Sequence, residues 1–274
     1  MDEHSAEQQS RDLPQLTLMG GFDLRYAGRS VPVAPAGRRL LSLLVLSRRT
    51  LTREHVAGKL WPDTCGDRAA GSLRSALWRL PRPERPLVVA TVSTLQLSPD
   101  IATDLAAVED TLQRVIVWSE RSERSEPPGP PGPSEPPRRP DGYAAAPPPD
   151  LAPADHALSS DLLPEAWDEW VIVERERLHQ MRLHALESLA RGHRSAGRFG
   201  RALDAALRAV AGEPLRESAH RQVIETYLAE GNTGAALRHF GELRELLRTE
   251  LGLEPSPALC RRMDSVVAAL RTRR

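Results

Sequence analysis

Cysteine is nearly absent. Cys65 and Cys260 are the only two in 274 residues, too few and too far apart in sequence for a disulfide framework. No apolar run approaches the roughly 20 residues needed to span a bilayer. The opening "MDEHSAEQQSRDLPQ" is polar and net acidic, unlike a secretory signal. These absences point to a cytoplasmic protein without membrane association. Catalytic signatures are lacking too: there is no G-x-x-x-x-G-K-S/T, no G-x-G-x-x-G, no H-E-x-x-H and no G-x-S-x-G. The eight histidines are scattered, and His179 and His184 lie five apart, off the i,i+4 spacing of a helical metal site. No catalytic residue, cofactor or metal is expected, and the chain reads as a non-enzyme. Lysine is reduced to Lys59, so the preference for arginine carries no weight by itself.

Net charge is zero, but its distribution is uneven. Residues 15 to 99 hold 13 Arg and Lys against 5 Asp and Glu, while residues 100 to 274 hold 23 against 28. A small basic segment ahead of a larger acidic one suggests a DNA-binding unit joined to something else.

From Leu16 to Tyr26 the apolar residues Leu16, Leu18, Phe22, Leu24 and Tyr26 fall on even positions, the period of a strand. Gly20 and Gly21 mark a turn or bulge, "YAGRS" turns the chain, and Val31 and Val33 offer a third short strand. Three helices follow. "PAGRRLLSLLVLS" aligns Leu40, Leu43 and Leu44, and "TREHVAGKLW" starts with Thr52 as N-cap. "DRAAGSLRSALWRL" starts with Asp67 as N-cap and stops at Pro81. "LVVATVSTLQLS" closes the segment as a hairpin, so the order is that of a winged helix-turn-helix.

In the third helix Leu73, Leu77, Leu80 and Ala69 or Ala70 share an inward face. Arg68, Ser72, Ser75 and Arg79 lie opposite, with Arg74 and Trp78 at the flanks. Guanidinium groups can bond guanine edges or grip phosphates, and serines can do either. An isolated helix of this kind is most simply a solvated arginine face; a third helix in a basic winged segment belongs in a DNA groove. The wing, residues 88 to 97, has no Arg or Lys, and Arg82 and Arg85 just past the helix partly compensate. Trp61, after a helical leucine, is expected in the core.

Residues 104 to 118 form another helix. Between Ser119 and Asp150 lie 11 of the 24 prolines and almost nothing apolar to bury, as in a linker without a fold of its own. The chain is then helical to its end, and it repeats. A shift of 34 residues superposes Ala185 on Ala219, Gly197 on Gly231, Gly200 on Gly234, Ala202 on Ala236 and Leu203 on Leu237. That period, with small residues where helices cross, is the tetratricopeptide signature. Trp167 and Trp170 are expected to seal an end of the helical stack.

The stretches "LLSLLVLSRRTLTREHVAGKLWPD", "GSLRSALWRL", "LLPEAWDEWVIVERERLHQMRLHALESLA", "GRFGRALDAALRAVAGEPLRESAH" and "ELGLEPSPAL" together resemble the Streptomyces antibiotic regulatory protein family. The second half is similar to that family's bacterial transcriptional activator domain, most specifically in "EPLRESAHR". The expected fold is mostly α with a small β component: a winged helix-turn-helix of OmpR type, then an α-helical tetratricopeptide-like domain. The boundaries expected are a disordered tail (1–14), the DNA-binding domain (15–99) and the activator domain (100–274), with 119–157 a disordered proline-rich insertion.

The resemblance implies a sequence-specific activator, regulating a pathway of secondary metabolism such as antibiotic biosynthesis. It would bind double-stranded promoter DNA as a pair of protomers and recruit RNA polymerase. It places Arg68, Ser72, Arg74, Ser75 and Arg79 on DNA, with Arg82 beside them. It also places the loop containing Pro62, Asp63 and Thr64 near polymerase or its sigma factor. The sequence departs from the family at Pro81 and in the wing. Those departures motivate a rival reading, a protein-interaction adaptor whose repeats grip a partner and whose winged helix is a remnant.

Overall fold

The computed structural model describes residues 13–82, 86–124 and 160–272. The expected tail, apart from Leu13 and Pro14, and the expected insertion from residue 125 onward lie outside the described residues. The chain is mostly helical with a small β component, and it divides into two compact units. The first comprises Met1–Asp110 and Ala152–Leu178, the second Thr111–Leu151 and His179–Arg274.

In the first unit, strands β1 (Gln15–Thr17), β2 (Asp23–Tyr26) and β3 (Arg29–Ser30) form an antiparallel meander. The third strand is thus Arg29–Ser30, earlier than the expected Val31 and Val33, because the turn closes over only two residues. Ala27 and Gly28 take φ of 48° and 74°, the left-handed pair of a tight hairpin. Val31 still donates its N–H to the Leu24 carbonyl at 2.7 Å. A strand that alternation does not reveal, β7 (Ala102–Thr103), pairs parallel with β1 and completes the sheet in the order β3-β2-β1-β7.

Three helices follow the meander: α1 (Pro35–Ser47), α2 (Arg53–Leu60) and α3 (Gly66–Trp78). Every residue of α1 from Leu40 to Leu46 is buried, so the expected leucine stripe is in fact a helix enclosed on most sides. Thr52 caps α2 as expected, its hydroxyl accepting the His55 N–H at 3.2 Å. Thr52 also belongs to β4 (Leu51–Thr52), which joins the hairpin β5 (Val88–Ala90) and β6 (Thr94–Leu97) in a second sheet ordered β4-β6-β5. Three helices and a terminal hairpin in this arrangement make a winged helix.

Residues 160–178 complete the first unit rather than opening the helical repeats. Met19 bridges Leu162, Leu163 donates to Leu18 O at 2.9 Å, and Gly20 donates to Asp161 O at 2.7 Å. The Arg175 guanidinium then clamps the loop by donating to the carbonyls of Leu162, Leu163 and Ala166 at 2.9, 2.6 and 3.0 Å. The unit thereby reaches beyond residue 99, into α4 (Asp104–Arg124) and α5 (Glu169–Ser195). Helix α4 continues to Arg124 instead of stopping at Trp118, since Ser119–Arg124 contains no proline to break it.

The second unit is a succession of packed helices. The His179–Ser195 part of α5, α6 (Phe199–Gly212), α7 (Glu217–Glu230), α8 (Thr233–Leu251) and α9 (Pro257–Arg271) follow one another with short turns. The 34-residue repeat is visible in the backbone: Gly197 and Gly231 sit in equivalent turns with φ of 68° and 89°, where a side chain would be strained. Ala185, Ala202 and Ala209 of the first copy and Ala219, Ala236 and Leu243 of the second are all buried. Small residues there let helix axes approach closely.

The phrase "EPLRESAH" faces inward. Arg216 donates to Glu187 at 2.6 Å and to Gln180 at 2.8 Å, and Ser218 donates to Glu187 at 2.7 Å. Glu217 accepts the N–H and the hydroxyl of Ser256 at the start of α9. His220 lies between the Pro214 carbonyl, 2.9 Å away, and His239, 3.0 Å away. This stretch is therefore scaffold, joining α5, α7, α8 and α9.

Candidate nucleic-acid interface

Helix α3 is built by Ala69, Leu73 and Ala76, which are buried, with Leu80 buried just beyond its end. Leu77, expected inward, is only half-buried, because Ala76 and not Leu77 occupies the turn between Leu73 and Leu80. The N-cap is Cys65, with no side-chain cap; Asp67 sits within the first turn, where its charge complements the helix dipole. The expected cap is thus displaced by two residues. The helix stops at Trp78, since Pro81 has no N–H to give the Leu77 carbonyl. Leu80 closes that end with a tighter bond to Leu77 O at 3.3 Å, and the Arg82 guanidinium donates to the Trp78 carbonyl at 3.3 Å.

The residues expected on DNA divide into three sets. Arg68, Ser72, Ser75 and Arg79, at successive helical turns, line one wall of a groove of about 770 Å³. Arg74 is exposed outside that groove, and Arg82 is exposed beyond the helix, engaged with its last turn. Among the described residues, none of Arg68, Arg74 and Arg79 meets a carboxylate at ion-pair distance. Unpaired guanidinium groups on an exposed face are available to an external anion.

The opposite wall of the groove was not legible as part of a site. It consists of Ala34, Pro35, Ala36 and Gly37 at the start of α1, with Trp61 and Thr64 at one end. Ala34 provides no side-chain cap and Pro35 has no N–H, so Ala36 and Gly37, both in the groove lining, carry the uncapped N–H groups at the positive end of the helix dipole. A Cβ at Gly37 would lie 2.9 Å from Val33 Cγ1 and 3.0 Å from Leu80 Cδ2, so glycine there lets α1 meet the end of α3. Trp61 is only half-buried and borders the groove, because α2 ends at Leu60 and the ring is left on the turn. In that turn Pro62 and Asp63 are exposed and Thr64, half-buried, donates to the Trp61 carbonyl at 3.2 Å.

The wing has an uncharged tip held by its own hydrogen bonds. Thr91 Oγ1 accepts the Thr94 N–H at 2.9 Å and lies 2.7 Å from Thr94 Oγ1. Val92 between them is 98% exposed. Charge reaches the tip from elsewhere: Arg53, the first residue of α2, donates Nε to Thr91 O at 2.9 Å and its backbone N–H to Ser93 O at 2.9 Å. Only the β4–β6 pairing brings residue 53 to residue 91, which is why composition of the wing alone missed this cation. Near the end of α3, Trp78 is 71% exposed.

The comparisons with known proteins agree with this architecture. The family described as "bacterial transcriptional activator domain" matches residues 155–267. No curated protein matches the chain. The solved structure of Mycobacterium tuberculosis EmbR in complex with low affinity phosphopeptide superposes with a TM-score of 0.68 over 93% of this chain, at 20% identity. The superposition takes in 65% of that structure's chain, so the present chain spans just under two thirds of its length. The fold is thus that of EmbR, and the second half carries the match to an activator domain.

Proposed function

We propose that this chain is a sequence-specific DNA-binding transcriptional activator. One observation carries the reading: Arg68, Ser72, Ser75 and Arg79, unpaired with any carboxylate among the described residues, lie across an open groove from the uncapped start of α1. Such a groove suits a phosphate backbone, with guanidinium groups on one side and backbone N–H groups on the other. The exposed flank of α3, with Arg74 and Trp78, is then left to base edges and sugars. The activator-domain match over residues 155–267 supports transcriptional activation as the output.

In this reading the Pro62–Thr64 turn meets RNA polymerase or its sigma factor, and two copies bind side by side on repeated promoter sites. Control of secondary metabolism rests on the family resemblance of the sequence.

The test is fluorescence anisotropy of promoter DNA against salt. Arg79→Ala and Arg68→Ala are each expected to weaken binding about tenfold and to lower the slope of log affinity against log salt by about one. Unchanged affinity and slope in both variants would overturn the docking.

A further inference from the structure

The first unit contains a second cavity, of about 860 Å³, whose lining comes from residues 17–42 and 160–170. It is separate in composition from the groove along α3, sharing only Pro35 with it. Its walls include Phe22, Trp167 and Trp170. The tryptophans therefore do not seal the helical repeats, as expected from sequence; they belong to the first unit, and Trp167 is 80% exposed at the cavity.

Three hydrogen-bond donors in this lining have no acceptor among the described residues. Ser42 is 3% exposed, yet its hydroxyl bonds nothing, whereas Ser47 on the same helix returns its hydroxyl to Leu43 O at 2.7 Å. Trp170 Nε1 is buried without a partner. The Arg38 guanidinium gives Nε to Val33 O at 2.9 Å and lies 5.8 Å from the Phe22 ring centre, which leaves its terminal N–H groups uncommitted. A buried donor without an acceptor is costly, and Trp170 Nε1 and the buried Ser42 share this lining with the exposed Arg38 guanidinium, whose charge suits an anionic acceptor.

The cavity's carboxylates do not supply it. Asp23 is taken by Ser30 at 2.6 Å and Arg25 at 2.8 Å, and Asp168 by Arg39 at 2.5 Å. Glu165 is exposed at the surface. Of the uncommitted groups in the lining, Trp170 Nε1 and the Arg38 guanidinium can only donate and the Ser42 hydroxyl can donate, and they are set among aromatic and apolar side chains.

We infer that this cavity binds a small planar aromatic carboxylate, its ring between Phe22 and Trp167 and its carboxylate on Ser42, Trp170 and Arg38. The volume is within the range of small-molecule sites, and aromatic walls with a few convergent polar groups are their usual composition. The site is independent of the DNA-binding reading, which it neither needs nor supports.

The experiment is calorimetric titration of the full chain with naphthoate, alongside naphthamide and naphthylmethylamine, which keep the ring and remove or invert the charge. Naphthoate is expected to bind, and the amide and amine at least tenfold more weakly. Ser42→Ala, which keeps side-chain volume nearly constant, and Trp170→Phe, which removes the indole N–H together with part of the ring, are each expected to weaken naphthoate at least fivefold. Ser42→Ala should melt no lower than the parent, because it removes an unsatisfied hydroxyl at nearly constant volume. Absence of naphthoate binding at millimolar concentration, equal binding of the amide, or undiminished binding in both variants would overturn the inference.

Discussion

The Asp104 carboxylate accepts the Leu18 N–H at 2.9 Å and the Met19 N–H at 2.9 Å, two amides that end β1 with no strand partner. Burial pushes its pKa above the ordinary carboxylate value, against the opposing pull of these backbone bonds. Asp104→Ala leaves both amides without an acceptor, each worth roughly 1–3 kcal/mol, so a loss of about 2–4 kcal/mol is expected in urea denaturation. Asp104→Asn keeps one oxygen and sheds the buried charge, and is expected to cost about half as much. Ala27 offers the opposite case. It holds φ at 48° in a turn that suits glycine, so Ala27→Gly is expected to raise stability by about 0.5 kcal/mol, the strain relieved less the added unfolded-chain entropy.

At the scale of elements, the length of α3 and the reach of the wing decide how a duplex could be held. Helix periodicity alone groups Arg68, Ser72, Ser75 and Arg79 along one side of α3, because its spacing is local. Its cap was misplaced because Cys65 enters the helix through backbone geometry, with no side-chain bond for a sequence to advertise. The two-residue strands β4 and β7 carry no readable alternation, yet they position the wing beside Arg53 and close the first sheet. We extend the proposed docking to the wing by placing the exposed Val92 against the phosphate backbone. Val92→Arg is then expected to tighten promoter binding several-fold and to steepen the salt slope by about one. An unchanged slope in anisotropy titrations would place the wing tip away from DNA.

The whole molecule follows a division that composition could not locate. The 34-residue repeat was legible, since it is written in Ala185, Gly197, Ala202 and their partners. The cavity of the first unit was not, because residues more than a hundred positions apart line it. A fragment ending at residue 100 loses β7, Asp104 and the loop clamped by Arg175, and is expected to melt far below the full chain by circular dichroism. Acidity should act on the second unit. Burial, with neighbouring arginines, lowers the pKa of His193 below the ordinary 6.5, and burial, with His220 nearby, lowers that of His239. A base lowered in the folded state binds fewer protons there than in the unfolded chain, so the stability it contributes is present above 6.5 and is lost as pH falls through the lowered value. Thermal melts are expected to show the midpoint dropping as pH is taken below 6.5, and less so in His239→Gln.

Glu217 holds the start of α9 from within α7, while Arg216 beside it holds α5. Two adjacent residues, the N-cap and first residue of α7, thus tether both ends of the array. A solenoid fastened this way should not peel hairpin by hairpin from its carboxyl end. Its amides should exchange with deuterium as one block, and a protease should meet either an intact rod or a fully opened chain.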